Sequence, residues 1–249
     1  MNSLGLMPVN DIYFACSSSR YSIAYSSLIL GNDNEIIKFN YDVDAFDRIL
    51  KKLNKEGFYT DELGEICSEL FVSGFLEQVP DALKKYYFLN PHRLCEIIEN
   101  NPDMFYKLGY HYKLPQQAYS DQSSFDFFVK VLIERNTENA DYISILGEIL
   151  GKSCNGSDDI FPHEYVRMVM ENYREYQLPE KIAFGKLYSQ GLHSVGDGSR
   201  ESQISKKYRD EAKFFDIDYP ETAKLLRFLS SLYESTAKQD HIYSEIGVW

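Results

Sequence analysis

Leu146-Gly147-Glu148-Ile149 repeats, residue for residue, the earlier tetrapeptide Leu63-Gly64-Glu65-Ile66. Between the two lies Leu108-Gly109-Tyr110, and beyond them Phe184-Gly185-Lys186-Leu187. Ile23-Ala24-Tyr25 and Leu226-Arg227-Phe228 fit the same frame more loosely. The frames begin at positions 23, 63, 108, 146, 184 and 226, so they stand 40, 45, 38, 38 and 42 residues apart. Steps of that size hold two helices and two connections. The chain therefore reads as a run of helix pairs.

Working outward from the frames, a second helical stripe comes after each of several units. Phe46, Ile49, Leu50 and Leu53 are spaced i, i+3, i+4, i+7. Phe125, Phe128, Val129, Leu132 and Ile133 repeat the pattern, as do Val166, Val169, Met170 and Tyr173, with Tyr208, Ala212 and Phe215 as a shorter version. This is the period of one buried helix face. Asn90-Pro91 and Asn101-Pro102-Asp103 suggest capping side chains ahead of a first-turn proline. Pro162, Pro179 and Pro220 each precede an acidic residue within two positions, which suits a helix start. The Ser-rich stretch from Ile12 to Leu30 fits neither a helical nor a strand period cleanly. A glycine inside the first helix of each pair costs about 1 kcal/mol relative to alanine, so it implies a neighbouring helix close enough to exclude a Cβ.

The stretch Ala183-Phe184-Gly185-Lys186-Leu187-Tyr188-Ser189-Gln190-Gly191 resembles the Sel1-like repeat, a relative of the tetratricopeptide repeat. Ala183, Gly185, Tyr188 and Gly191 stand where that family places Ala, Gly, Tyr and a helix-ending Gly, with Phe184 in place of Leu. Leu146-Gly147 with Gly151, and Leu108-Gly109 with Tyr112, match two further units in part; Ala223, Leu226 and Tyr233 look like a degenerate last unit. The alanine pair usual in the second helix is missing. The resemblance implies an all-α fold in which antiparallel helix pairs stack as a short right-handed solenoid. It also implies protein binding, in some relatives as bacterial immunity proteins that neutralise toxins, and it brings no catalytic residues. On this reading residues 1–249 form a single helical-repeat domain, with the repeats at 61–235, a tail at 236–249, and 1–60 the least regular part.

The bulk numbers fit a folded chain: 44% hydrophobic residues and 26% charged, with 20 Tyr and 16 Phe to fill helix interfaces. The net charge is -12, and all of it lies in residues 1–180, which carry 28 acidic against 16 basic side chains. Such a field repels nucleic acid and anionic membranes and draws in basic partners. Cys16, Cys67, Cys95 and Cys154 form no CxxC pair and read as scattered core thiols. No basic n-region or long apolar run opens the chain, so the cytoplasm is the expected compartment. No apolar stretch is long enough to span a membrane.

No motif with chemistry of its own is complete. His163-Glu164 lacks the second histidine of a zinc helix, and Gly151-Lys152-Ser153 comes after a helix instead of opening one as a phosphate loop would. Gly196-Asp197-Gly198-Ser199 reads as a connection, and His111 as a packed residue. No catalytic, cofactor-binding or metal-ligating residue is expected, and no cofactor. The expected function is protein binding, with a basic toxin domain as the specific partner. The candidate contacts are Asp42, Asp44, Asp47, Tyr110, Tyr112, Asp158 and Asp159: carboxylates for Lys or Arg, and aromatics as anchors inside an acidic rim. The competing expectations are an enzyme with a site of dispersed His and carboxylate residues, and a structural subunit of a larger assembly.

Overall fold

In a computed structural model the described residues are 27–29, 36–38, 61–72, 79–101, 104, 108, 112–136, 141–189 and 196–246. The candidate contacts Asp42, Asp44, Asp47 and Tyr110 lie outside them, as do the stripe at 46–53, Cys16, His111 and Trp249. Among the described residues the regular structure is helical, apart from one antiparallel hairpin of β1 (Ser27–Ile29) and β2 (Ile36–Lys38), in which Leu28 faces Ile37. The helices are α1 (Asp61–Val72), α2 (Asp81–Leu89), α3 (Pro91–Asn100), α4 (Gln122–Glu134), α5 (Tyr142–Leu150), α6 (Glu164–Asn172), α7 (Leu178–Ser189), α8 (Ser199–Ala212) and α9 (Pro220–Ile246). Contacts divide the chain into two compact units, Met1–Arg93 and Leu94–Trp249.

In the first unit α1 packs on α2. Gly64 makes this possible, because a Cβ there would lie 2.4 Å from Cβ of Tyr86. The buried Ser68 hydroxyl meets the Tyr87 hydroxyl at 2.8 Å, so these two polar groups satisfy each other inside the interface. Tyr86 donates to Glu65 at 3.2 Å within the same helix pair.

The second unit is built on the stripes. Phe125, Phe128, Val129, Leu132 and Ile133 are all buried on α4, as the i, i+3, i+4, i+7 spacing predicts. Val166, Val169 and Met170 are buried on α6, while Tyr173 is only half-buried at its C-terminal end. Each fully buried Leu or Phe contributes about 1.5–3 kcal/mol. α5 packs along α7, α7 along α9, and α8 along α9. At the α5–α7 crossing the two framed glycines face each other. A Cβ on Gly147 would sit 2.2 Å from Cβ of Lys181, and one on Gly185 would sit 2.6 Å from Cα of Glu148. Between α8 and α9 small residues allow the close approach instead, and Ser205 donates across the interface to the Ser230 carbonyl at 2.8 Å.

α3 begins at Pro91, directly after Asn90. The side-chain amides of Asn90 and Asn101 donate backward, to the carbonyls of Tyr86 and Ile97, each at 3.1 Å. They close the preceding helix, whose last carbonyls lack intrahelical partners. Other helix starts carry side-chain caps. Asp121 accepts from the Ser123 and Ser124 amides at the start of α4, Asp141 from the Ser144 amide at α5, and His163 from the Tyr165 amide at α6. The proline-plus-acid signals hold: α6, α7 and α9 begin at or within two residues of Pro162, Pro179 and Pro220.

Candidate partner-binding surface

The loop from Ser153 to His163 joins α5 to α6 and is held by its own side chains. The Gly156 amide donates to the Ile160 carbonyl at 2.9 Å, and Asn155 donates to the Asp159 carbonyl, also at 2.9 Å. Ser157 is tied to Glu164 of α6 through its amide at 2.6 Å. Asp159 takes a left-handed φ of 60°, a conformation that Asp tolerates better than most residues.

Arg167 organises this loop. Its guanidinium grips Asp158 with both ends, at 2.6 and 2.7 Å, and Nε donates to the Pro162 carbonyl at 2.7 Å. A further donor reaches the Ile160 carbonyl. A planar fork suits this bidentate geometry, and a charge as buried as that of Arg167 requires a partner. The hydrogen bonds from Arg167 hold the Asp158 carboxyl below the usual carboxylate range. The guanidinium also stacks on the Phe215 ring, 4.6 Å from its centroid. That contact joins the loop to the turn between α8 and α9.

The turn carries the most exposed large apolar side chains of the described residues. Phe214 is 73% exposed and Ile217 is 91% exposed. Carboxylates come from both segments: Asp158 and Asp159 from the loop, and Asp210, Glu211, Asp216 and Asp218 from α8 and the turn. The Glu211 carboxyl is pushed up by burial, opposed by Lys207 at 3.5 Å and reinforced by the negative charges of Asp158 and Asp159. Lys213 pairs with Asp210 at 2.7 Å, and Arg227 pairs with Asp216. Among the described residues Asp159 and Asp218 make no ion pair. The result is an apolar knuckle with uncompensated carboxylates beside it.

Of the expected contacts, the structure brings Asp158 and Asp159 to this surface, with Asp159 the more available. Asp158 is committed to Arg167. Tyr112 is a correction: it is 0% exposed and stacks on Phe128 with ring centroids 6.4 Å apart, so it belongs to the core and offers a partner nothing. His163 packs against Tyr119 and Tyr165, at 4.7 and 5.0 Å between ring centroids, and burial depresses its pKa. Phe214 and Ile217 went unread in the sequence. Their signal was the doubled Phe214-Phe215: the stripe Tyr208–Ala212–Phe215 points Phe215 inward and therefore turns its neighbour out.

A second apolar strip lies on α7. Phe184 and Tyr188 stack at 6.4 Å, and Phe228 of α9 meets Phe184 edge-on at 5.7 Å. Tyr188 is 59% exposed.

No family model, curated protein or solved structure matches this chain. The geometry therefore carries the functional argument. Among the described residues no three or more His, Cys, Asp or Glu side chains gather as a metal ion would require, and no helix is long and apolar enough to cross a membrane.

Proposed function

We propose that this chain is a protein-binding module of the cytoplasm, without catalytic activity, and that its knuckle at Phe214 and Ile217 docks on a basic partner. The observation that carries the reading is the company of two large, exposed apolar side chains with the carboxylates of Asp159 and Asp218, which form no ion pair among the described residues. Protein interfaces place apolar anchors inside a polar rim, and complementary charge sets partner choice and association rate. The net charge of -12 acts in the same direction. The row α5–α7–α9, with glycines at its first crossing, supports stacked helix pairs of the Sel1-like kind arranged as a right-handed solenoid. Within this class the specific partner is a basic toxin domain, which the module would neutralise as an immunity protein.

The test is co-purification with basic toxin domains encoded beside this chain, and then calorimetry on the pair. Phe214→Ser with Ile217→Ser should weaken binding about a hundredfold, the loss of two hot-spot side chains, with an unchanged circular dichroism spectrum. Leu89→Ser, on an exposed residue of the first unit, should leave binding unchanged. Equal affinity for the double variant and the parent would place the interface elsewhere and refute the proposed surface.

A further inference from the structure

Asn155-Gly156 is the only Asn-Gly pair in the chain. Asparagine before glycine is chemically labile, because no side chain hinders the following backbone nitrogen as it attacks the asparagine side-chain carbonyl. Asn90 and Asn101 are protected from this reaction: each precedes a proline, whose nitrogen carries no hydrogen to give up. Asn155 stands exposed in the loop between α5 and α6, where water reaches it. The fold nevertheless favours this pair. A Cβ on Gly156 would lie 2.8 Å from Asp158 Oδ1, 2.9 Å from Arg167 Nη2 and 3.0 Å from Glu164 Oε1. Those atoms are tied down, Asp158 to Arg167 at 2.7 Å and Glu164 to the Ser157 amide at 2.6 Å, so they have little freedom to make room.

The same loop holds the reaction back. The Asn155 side-chain nitrogen donates to the Asp159 carbonyl at 2.9 Å and to Asp159 Oδ1 at 3.2 Å. The Gly156 amide, which is the attacking group, donates to the Ile160 carbonyl at 2.9 Å. Leaving group and nucleophile are therefore both anchored to the far side of the turn. The Asp159 amide closes that turn on the Gly156 carbonyl at 3.0 Å. Attack requires the Gly156 nitrogen to release Ile160 and turn towards Cγ of Asn155, so the loop opens before the chemistry begins.

We propose that Asn155 is a latent self-modification site, at which the chain converts its own asparagine to aspartate or isoaspartate whenever the loop opens. The Gly156 nitrogen gives its proton to solvent and forms a bond to Cγ of Asn155. The bond from Cγ to Nδ2 breaks, and the side-chain nitrogen takes up a proton and leaves as ammonia. Water then opens the five-membered succinimide at either carbonyl, which gives aspartate or isoaspartate; water is the one reactant consumed. For the loop the change is one-way. A carboxylate at 155 has only acceptors, and it faces the Asp159 carbonyl and carboxylate, which are acceptors too. The isoaspartate product also inserts a methylene into the backbone of the turn. The site needs no partner, so it does not depend on the proposed docking surface.

The test is to incubate the full chain in mildly alkaline buffer at physiological temperature, folded and in urea, and to follow residue 155 by peptide mapping with mass spectrometry. Asn155 should convert in the folded chain, but more slowly than in urea. Hydroxylamine, which traps the succinimide, should cut the chain between residues 155 and 156. Asp159→Ala removes one anchor and should speed conversion about fivefold, the loss of one hydrogen bond. Asp159→Asn keeps an accepting oxygen and tolerates the left-handed backbone, so it should stay near the parent rate. Asn155→Asp, which mimics one product, should have a lower Tm than the parent. A folded chain that shows no conversion while the chain in urea reacts would overturn the proposal. Equal rates with and without urea would do the same, as would an unchanged rate in Asp159→Ala or an Asn155→Asp variant with the parent Tm.

Discussion

Gly185 has no room for a methyl group. The nearest atoms to a Cβ there are backbone, Cα of Glu148 at 2.6 Å and the Gly147 carbonyl oxygen at 2.8 Å, and backbone moves only if two helices separate. Gly185→Ala should therefore destabilise the protein by about 1–3 kcal/mol in urea unfolding, even though alanine is the better helix former by about 1 kcal/mol. Gly196→Ala is the matched control: its Cβ would meet nothing closer than 3.9 Å, and its stability should not change. Lys152 offers a test by pH. Burial drives its pKa down from 10.5 to about 8, with Glu148 opposing, while Nζ donates to the Tyr112 carbonyl at 3.3 Å. Between those two values the unfolded chain holds a proton that the folded chain has released, so this site adds stability as pH rises through the window. Below about 8 both states carry the proton and the burial penalty is fully present. The stability of the parent relative to Lys152→Met should accordingly rise between neutral pH and about pH 10. A difference that stays constant over that range would refute the assignment.

At the scale of the element, the caps decide where helices begin. Asp121 accepts from the amides of Ser123 at 3.1 Å and Ser124 at 3.3 Å, and takes the Ser124 hydroxyl at 2.6 Å. The hydrogen bond from the Ser124 hydroxyl, with those from the two amides, holds its carboxyl below the ordinary range. The stabilisation is therefore present above the unfolded pKa and is lost as pH falls through the lower, folded one. Asp121→Ala should lower the Tm at neutral pH and lose that effect in strong acid, measured by circular dichroism. Asp121→Asn, which keeps a capping oxygen, should retain most of the stability of the parent. α9 shows a cap delivered from a distance. Glu171 of α6 accepts from the Glu221 and Thr222 amides at 2.8 and 3.2 Å, and so fixes α6 to the start of the longest of the described helices. Nothing local to Pro220 announces this.

At the scale of the whole molecule, charge rather than area should govern association. The acidic excess lies entirely within residues 1–180, and the knuckle gathers carboxylates from both sides of that division. Binding of a basic domain should weaken steeply between low salt and about 0.5 M, mainly through a slower association rate. Stopped-flow measurements at several salt concentrations check this. An association rate that does not depend on salt would mean that the apolar anchors act without steering.

The helices at 122–134, 164–172 and 199–212, and the glycines at the α5–α7 crossing, were legible in the residue order because both depend on short-range periodicity. A buried face must recur every 3.6 residues, and a missing Cβ marks a close neighbour wherever that neighbour comes from. The direction in which an asparagine donates was not legible, since Asn90 and Asn101 sit where the backbone on either side has unpaired groups to offer. The side chains of the proposed surface were legible only as composition. Acidic composition pointed to carboxylates, but Asp158 is taken by Arg167, nine residues on, and Tyr112 is covered by Phe128. Such pairings require the chain to have folded back on itself. The burial of Phe215 follows its local stripe, but the Arg167 guanidinium that stacks on it comes from 48 positions away, a contact that no local pattern encodes.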